Sequence, residues 1–224
     1  MKALRWIALL AVALSTCVPS VAGAKPPGGA VISPARAAAG LSGGELLGET
    51  WADELEVPAD AFAGSCHYVG KNDKVAVPVP GDDLTASCTV RPGSPVYILP
   101  GSECSDVEED PFFGADAAAQ RACAIEFDHD YFLSVRISVD GGSPVETVTP
   151  RFEVVSPQMS VNLAPDNFLG VPPGPATFVA HAWGSLVRGL SPGEHVISAD
   201  VSTSDGVSDT VVYTIDVVPR GRGG

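Results

Sequence analysis

The side chains best able to do chemistry are acidic, and they crowd one stretch. Glu103, Asp106, Glu108, Glu109 and Asp110 follow one another closely, and Asp128-His129-Asp130 returns after Cys123. Carboxylates held together repel, and a hard cation with oxygen ligands relieves the repulsion. A bond between Cys104 and Cys123 would draw the two stretches together. Glu103, Asp106, Asp128 and Asp130 are therefore the candidate ligands of a Ca²⁺ site, with a solvated acidic loop as the plainer reading. Two of these carboxylates could instead serve as the acid and base of a glycosidase-like hydrolase, if the fold set their separation. His67, His129, His181 and His195 stand singly. Each is read as a surface or hydrogen-bonded residue, and no catalytic residue is assigned. Neither a His-Glu-x-x-His pair, nor a P-loop, nor an EF-hand loop occurs. Phe112-Phe113, between Pro111 and Gly114, offer an apolar contact or a small satellite core.

Cysteine chemistry comes next. Cys66, Cys88, Cys104 and Cys123 contain no Cys-x-x-Cys, which argues against a zinc ribbon or a thioredoxin-type motif. An even number in an oxidising compartment implies bridges. Three pairings are open, and the sequential one, Cys66–Cys88 with Cys104–Cys123, is preferred. Each loop would close about 20 residues and stabilise by about 3 kcal/mol on the chain-entropy view.

The N-terminus supplies that compartment. Lys2 and Arg5 precede an apolar run from Trp6 to Leu14, Pro19 breaks it, and Ala22-Gly23-Ala24 suits a signal peptidase. The run is about half of what a bilayer-spanning helix needs. Residues 1–24 are thus expected to be a cleaved signal of a secreted or periplasmic protein. Leu14-Ser15-Thr16-Cys17 offers the alternative of a lipoprotein anchored at Cys17, although Thr16 departs from the small residue preferred before such a cysteine. Loss of Lys2 and Arg5 takes the formal charge from −14 to −16. So acidic a surface disfavours nucleic acid and anionic lipid. No later segment is long and apolar enough to span a membrane.

The elements that must position these groups are mostly strands. Residues 25–41, rich in Pro, Gly and Ala, read as a flexible leader. Ser42 and Glu45 form a capping box for a helix carrying Leu46, Leu47, Trp51 and Leu55, which Pro58 ends. From residue 62 the period is two. Val75, Val77 and Val79 suggest an edge strand, because Pro78 cannot donate to a ladder. Cys88–Arg91 and Val96–Leu99 flank a Pro-Gly turn as an expected hairpin. Leu133–Val139 alternates cleanly before Asp140-Gly141-Gly142. The insert from Cys104 to Asp130 is expected to hold one or two helical turns in 116–123. Eight or nine short strands without crossover helices predict an all-β fold, an antiparallel β-sandwich over 42–218, immunoglobulin-like or jelly-roll-like, with a short N-terminal helix, a disulfide-stapled insert and a disordered tail at 219–224.

A series of landmarks spans residues 45–218 in order: Trp51 before Pro58, Gly64-Ser65-Cys66, Cys88-Thr-Val-Arg-Pro-Gly93, Val96-Tyr-Ile-Leu-Pro100, Glu103-Cys104-Ser105, Asp140-Gly141, Arg151-Phe152 and Leu190-Ser-Pro-Gly-Glu-His195. Together they resemble a family of secreted bacterial β-rich proteins to which no activity is attached. The last of them resembles the closing hairpin of an immunoglobulin-like module. Val75–Pro80 departs from the aromatic-rich strand the family has after its first cysteine. The resemblance implies export and a β-rich fold and carries over no site residue. The preferred reading is a non-catalytic module that binds a protein, a glycan or an envelope component through its loops; the alternative is the carboxylate-dependent hydrolase.

Overall fold

The computed structural model describes residues 29–35 and 38–219. The expected signal, Cys17 and the tail from residue 220 lie outside them. Among the described residues the chain is mostly β, with three helices and fourteen short strands in three sheets. No helix among them is long and apolar enough to cross a membrane.

Helix α1 (Gly43–Leu55) starts where the sequence says it must. The Ser42 hydroxyl accepts from the Glu45 N–H while the Glu45 carboxylate accepts from the Ser42 N–H, so two orphan donors are satisfied. Leu46, Leu47, Trp51 and Leu55 form its buried stripe. Gly44 allows the close approach, since a Cβ there would lie 2.2 Å from the Val155 carbonyl. A short helix α2 (Ala59–Phe62) follows. Leu47 is wholly buried, and Leu47→Ala should cost about 2–5 kcal/mol in chemical denaturation. An unchanged midpoint would show that α1 is dispensable to the core.

The first sheet runs β1 (Ala30–Ile32), β12 (Ser185–Arg188), β5 (Val96–Ile98), β3 (Val75–Pro78), β2 (Cys66–Val69). Its residues alternate between two cores. Val75, Val77, Tyr97 and Leu186 pack with α1, whereas Ala76, Val96, Ile98 and Val187 pack with the third sheet. The Tyr97 hydroxyl donates to the Gly43 carbonyl at 3.0 Å and fixes α1 over this face. The second sheet is β10 (Met159–Leu163), β11 (Gly174–Trp183), β6 (Gly101–Ser105), with β9 (Glu153–Val155) also on β11. The chain turns from β11 into β12 at Gly184, where a Cβ would lie 2.8 Å from the Tyr97 hydroxyl. The third sheet is β4 (Thr85–Val90), β14 (Ser208–Val217), β13 (Gly193–Thr203), β7 (Phe132–Val139), β8 (Val145–Glu146). Val135, Ile137, Ile197, Tyr213 and Ile215 line its inner face.

Both expected disulfides are present. Cys66–Cys88 joins the first sheet to the third, and Cys104–Cys123 joins β6 to helix α3 (Ala117–Tyr131).

Several expectations need correction. The Val75 strand is interior, not an edge. Ala76 donates its N–H towards the β5 side, so the missing N–H of Pro78 falls on that side too, beyond the single Ala76–Val96 pair, and breaks no bond. Cys88–Arg91 and Val96–Leu99 form no hairpin: β4 runs parallel to β14, and β5 is parallel to β3. The sheets are therefore not purely antiparallel. The leader contributes β1, paired with β12. Leu133 does not join its strand's inner face and is 63% exposed, next to the irregular register at Ser202/Thr203. The insert's helix is longer than expected. Asp116 caps it through the Ala118 and Ala119 N–H groups, and it runs to Tyr131. Its buried face is Gln120, Ala124 and Asp128, spaced by four but hardly apolar, so hydrophobic periodicity gave no signal.

Candidate metal centre

Helix α3 lies on the outer face of the second sheet. Along β11, alternate residues turn towards it. The Gln120 amide donates to the Thr177 carbonyl and hydroxyl, Val179 pairs with the Cys104 that bonds Cys123, and His181 meets Asp128. Successive helical residues point about 100° apart. When Asp128 faces the sheet, His129 therefore stands at the rim of the same contact.

The His181 ring is wholly buried. Its Nδ1 lies 2.7 Å from the Asp128 Oδ2, which also accepts the Ser102 N–H at 3.1 Å. A carboxylate in that position holds the imidazole proton on Nδ1 and leaves the lone pair on Nε2. That Nε2 is inaccessible and has no hydrogen-bond partner. It looks at the Glu153 Oε1, 3.4 Å away, and the same oxygen is 3.1 Å from the His129 Nε2. One ligand atom from each of His129, Glu153 and His181 lies within 4.8 Å of the others.

Two acceptors facing each other at 3.4 Å repel unless positive charge stands between them. A proton on the His181 Nε2 would serve that pair. A metal ion would serve all three groups, because bonds of 2.0–2.2 Å in a tetrahedron hold donor atoms roughly 3.3 Å apart. Two imidazoles and a carboxylate are a zinc-type donor set, and the Asp128–His181 pair supplies the outer carboxylate such ligands usually have. The wall is aromatic: Trp183 stacks on His129 with centroids 5.0 Å apart and meets His181 edge-on at 5.2 Å. His129 is 46% exposed and Glu153 28%, so the buried histidine forms the floor and a fourth position faces outward. His129 also occupies the last turn of α3, where the negative end of the helix dipole favours a cation.

The four acids expected to hold Ca²⁺ do not converge on one point, although Glu103 does meet Glu108. The Asp106 carboxylate accepts the Thr177 N–H and hydroxyl, both at 2.8 Å. Asp128 serves His181, and Asp130 is exposed. Glu103 is buried, with its Oε2 unpartnered. Phe112 packs on Phe127 at 4.6 Å, while Phe113 is 45% exposed. His129 and His181 stand singly in the sequence, and neither they nor Glu153 carry a local signal of ligation. The adjacent Asp128-His129 on a helix was the one clue.

Two other arrangements look catalytic and are structural. Gly40-Leu41-Ser42-Gly43-Gly44 spells the Gly-x-Ser-x-Gly of a nucleophile elbow, yet Ser42 is the cap of α1 and its hydroxyl is bound to Glu45. His195 lies between Asp140 (2.8 Å to Nδ1) and Ser191 (3.4 Å from Oγ to Nε2). Its Nε2 is also 2.8 Å from the Ser191 carbonyl. A carbonyl only accepts, so Nε2 carries a proton and cannot take one from the serine.

Burial, and then the adjacent Glu108 carboxyl, push the Glu103 carboxyl well above its ordinary range. Burial alone pushes Glu54 up to about 7. Groups held neutral in the fold bind protons that the unfolded chain releases, so their stabilisation is complete below the unfolded carboxyl range and is lost as pH rises through the folded values. Thermal melts should show stability falling as pH rises from the unfolded carboxyl range through about 7, with a shallower fall in Glu103→Gln. Parallel curves for the two proteins would sink this account.

No family model matches the chain, and no curated protein does. Among solved structures it is similar to the solution structure of amebosin: 13% identity over 64% of this chain and 96% of that one, with a TM-score of 0.23. So slight a likeness carries no argument.

Proposed function

We propose that this is an exported, non-catalytic binding module that captures one divalent transition-metal ion of the zinc class with His129, His181 and Glu153. The observation that carries the reading is the buried His181 Nε2, unpartnered and aimed at Glu153 while Asp128 holds Nδ1. Imidazole donors favour zinc, copper or nickel over the calcium suggested by the acids alone. Two disulfides are supported best by an oxidising compartment, which agrees with the signal expected at residues 1–24 and with a secreted or periplasmic location. The first and third sheets, closed on a shared core and ending in the β13–β14 hairpin, support an immunoglobulin-like sandwich. A hydrolase built on the acidic insert finds less support, because Asp106 and Asp128 are already engaged with Thr177 and His181.

Calorimetric titration of the oxidised protein with Zn²⁺ is the test. One ion per chain, removable by chelator, is expected, and millimolar Ca²⁺ should not compete. Absence of stoichiometric binding at neutral pH would overturn the reading.

A further inference from the structure

A second surface carries charge of the opposite sign to the rest of the molecule. All 27 acidic residues lie among the described residues, which include only seven cations: Lys71, Lys74, Arg91, Arg121, Arg136, Arg151 and Arg188. Lys74, Arg91 and Arg188 nevertheless line a single open groove, and Asp73 is the one acid that shares it. The groove encloses about 1240 Å³ and has no residue in common with the metal centre. Chance placement in so acidic a chain would give more carboxylates here than cations.

The walls are rigid. Tyr68 on β2 lines the groove together with Thr89 on β4 and Arg91 just beyond that strand. Cys66–Cys88 ties these strands covalently, and the Tyr68 hydroxyl donates to the Thr89 carbonyl at 2.6 Å. The floor continues through the Pro92-Gly93 turn, closed by the Ser94 N–H on the Arg91 carbonyl at 3.0 Å. A surface already held in its bound shape loses little entropy on binding.

Size and lining narrow the ligand. The volume exceeds what a drug-sized molecule fills, which points to several linked units rather than one small anion. Among the described residues, no Leu, Ile, Phe, Met or Trp lines the groove, so the apolar anchors of a typical peptide have no pocket. What remains is suited to sugar: the Tyr68 ring, 40% exposed, the exposed face of Pro92, polar groups such as Asn72 and Ser94, and cations spaced among them.

We propose that this groove binds a linear acidic polysaccharide, its carboxylates or phosphates meeting Lys74 and Arg91. The sugar backbone lies along Tyr68 and Pro92. The chain's overall negative charge confines a polyanion to this one face and repels it elsewhere.

Fluorescence polarisation with labelled oligosaccharides tests the proposal on the oxidised full chain. A polygalacturonate oligomer should bind, with affinity falling as salt rises because the exposed charges are screened. A phosphomannan oligomer tests phosphate as the charge source; binding by either of these two acidic polysaccharides supports the proposal. Lys74→Glu/Arg91→Glu should weaken binding at least about tenfold, and Lys74→Gln/Arg91→Gln should weaken it less, both with an unchanged circular dichroism spectrum. Equal binding of neutral dextran would overturn the proposal, as would equal binding of poly-glutamate, no binding of either acidic polymer, or indifference to the charge reversal. Each outcome leaves zinc titration unaffected, so failure here is distinct from failure at the metal centre.

Discussion

His181→Ala should abolish the proposed stoichiometric zinc binding, with an expected loss of at least about 100-fold in affinity, because the floor ligand and its second-sphere partner are lost together. His181 is wholly buried, and a void in its place would also cost stability. The companion variant is therefore His129→Ala, at a half-exposed position where truncation leaves the fold intact and the loss of affinity should be comparable in kind. Asp128→Asn separates positioning from ligation. The amide could point its oxygen at Nδ1 but would carry no charge to hold the tautomer, and affinity should fall about 10–100-fold. Competition titration against a chromophoric chelator reads all three. Wild-type affinity in both histidine variants would end the metal reading.

Removing one disulfide should weaken zinc capture, and removing the other should not. Helix α3 carries both the ligand His129 and the orienting Asp128, whereas Glu153 and His181 sit on paired strands. With Gln120, Ala124 and Asp128 as its buried face, α3 has little apolar area to hold it down, and the Cys104–Cys123 bond takes that role. Cys104→Ala/Cys123→Ala should lose about 3 kcal/mol of stability by loop entropy and at least about tenfold in zinc affinity as the two α3 groups lose their fixed places. Cys66→Ala/Cys88→Ala should lose comparable stability but keep wild-type affinity, since that bond lies between other strands. Equal zinc affinity in the two double variants would show that α3 docks without its staple.

Legibility in the sequence followed the physics of each signal. The capping box at Ser42, the turn at Asp140-Gly141 and the alternation of residues 135–139 are local, and all three are where the pattern placed them. The sequential cysteine pairing is also the one the structure has. Strand partnership was less legible: β4 resembles half of a hairpin with β5 but bonds to β14, a choice set by packing of distant segments. Helix α3 escaped because its buried positions are polar and satisfied by tertiary bonds, such as those from Gln120 to Gly114 and Thr177. The metal centre was hidden for a related reason. Its three candidate ligands come from a helix and two strands, 24 and 28 positions apart, and only the strand pairing of β9 with β11 makes Glu153 a neighbour of His181.

Helix α3 passes into β7 without a single intervening loop residue: Tyr131 ends one and Phe132 begins the other. The Ser204 N–H on the Tyr131 carbonyl ties the junction to the far end of β13 as well. There is no slack at this joint, so the helix cannot tilt without dragging the ladder that builds the opposite layer. An ion seated beside His129 would thus tension both layers at once, and its release would be felt as loosening in strands that never touch it.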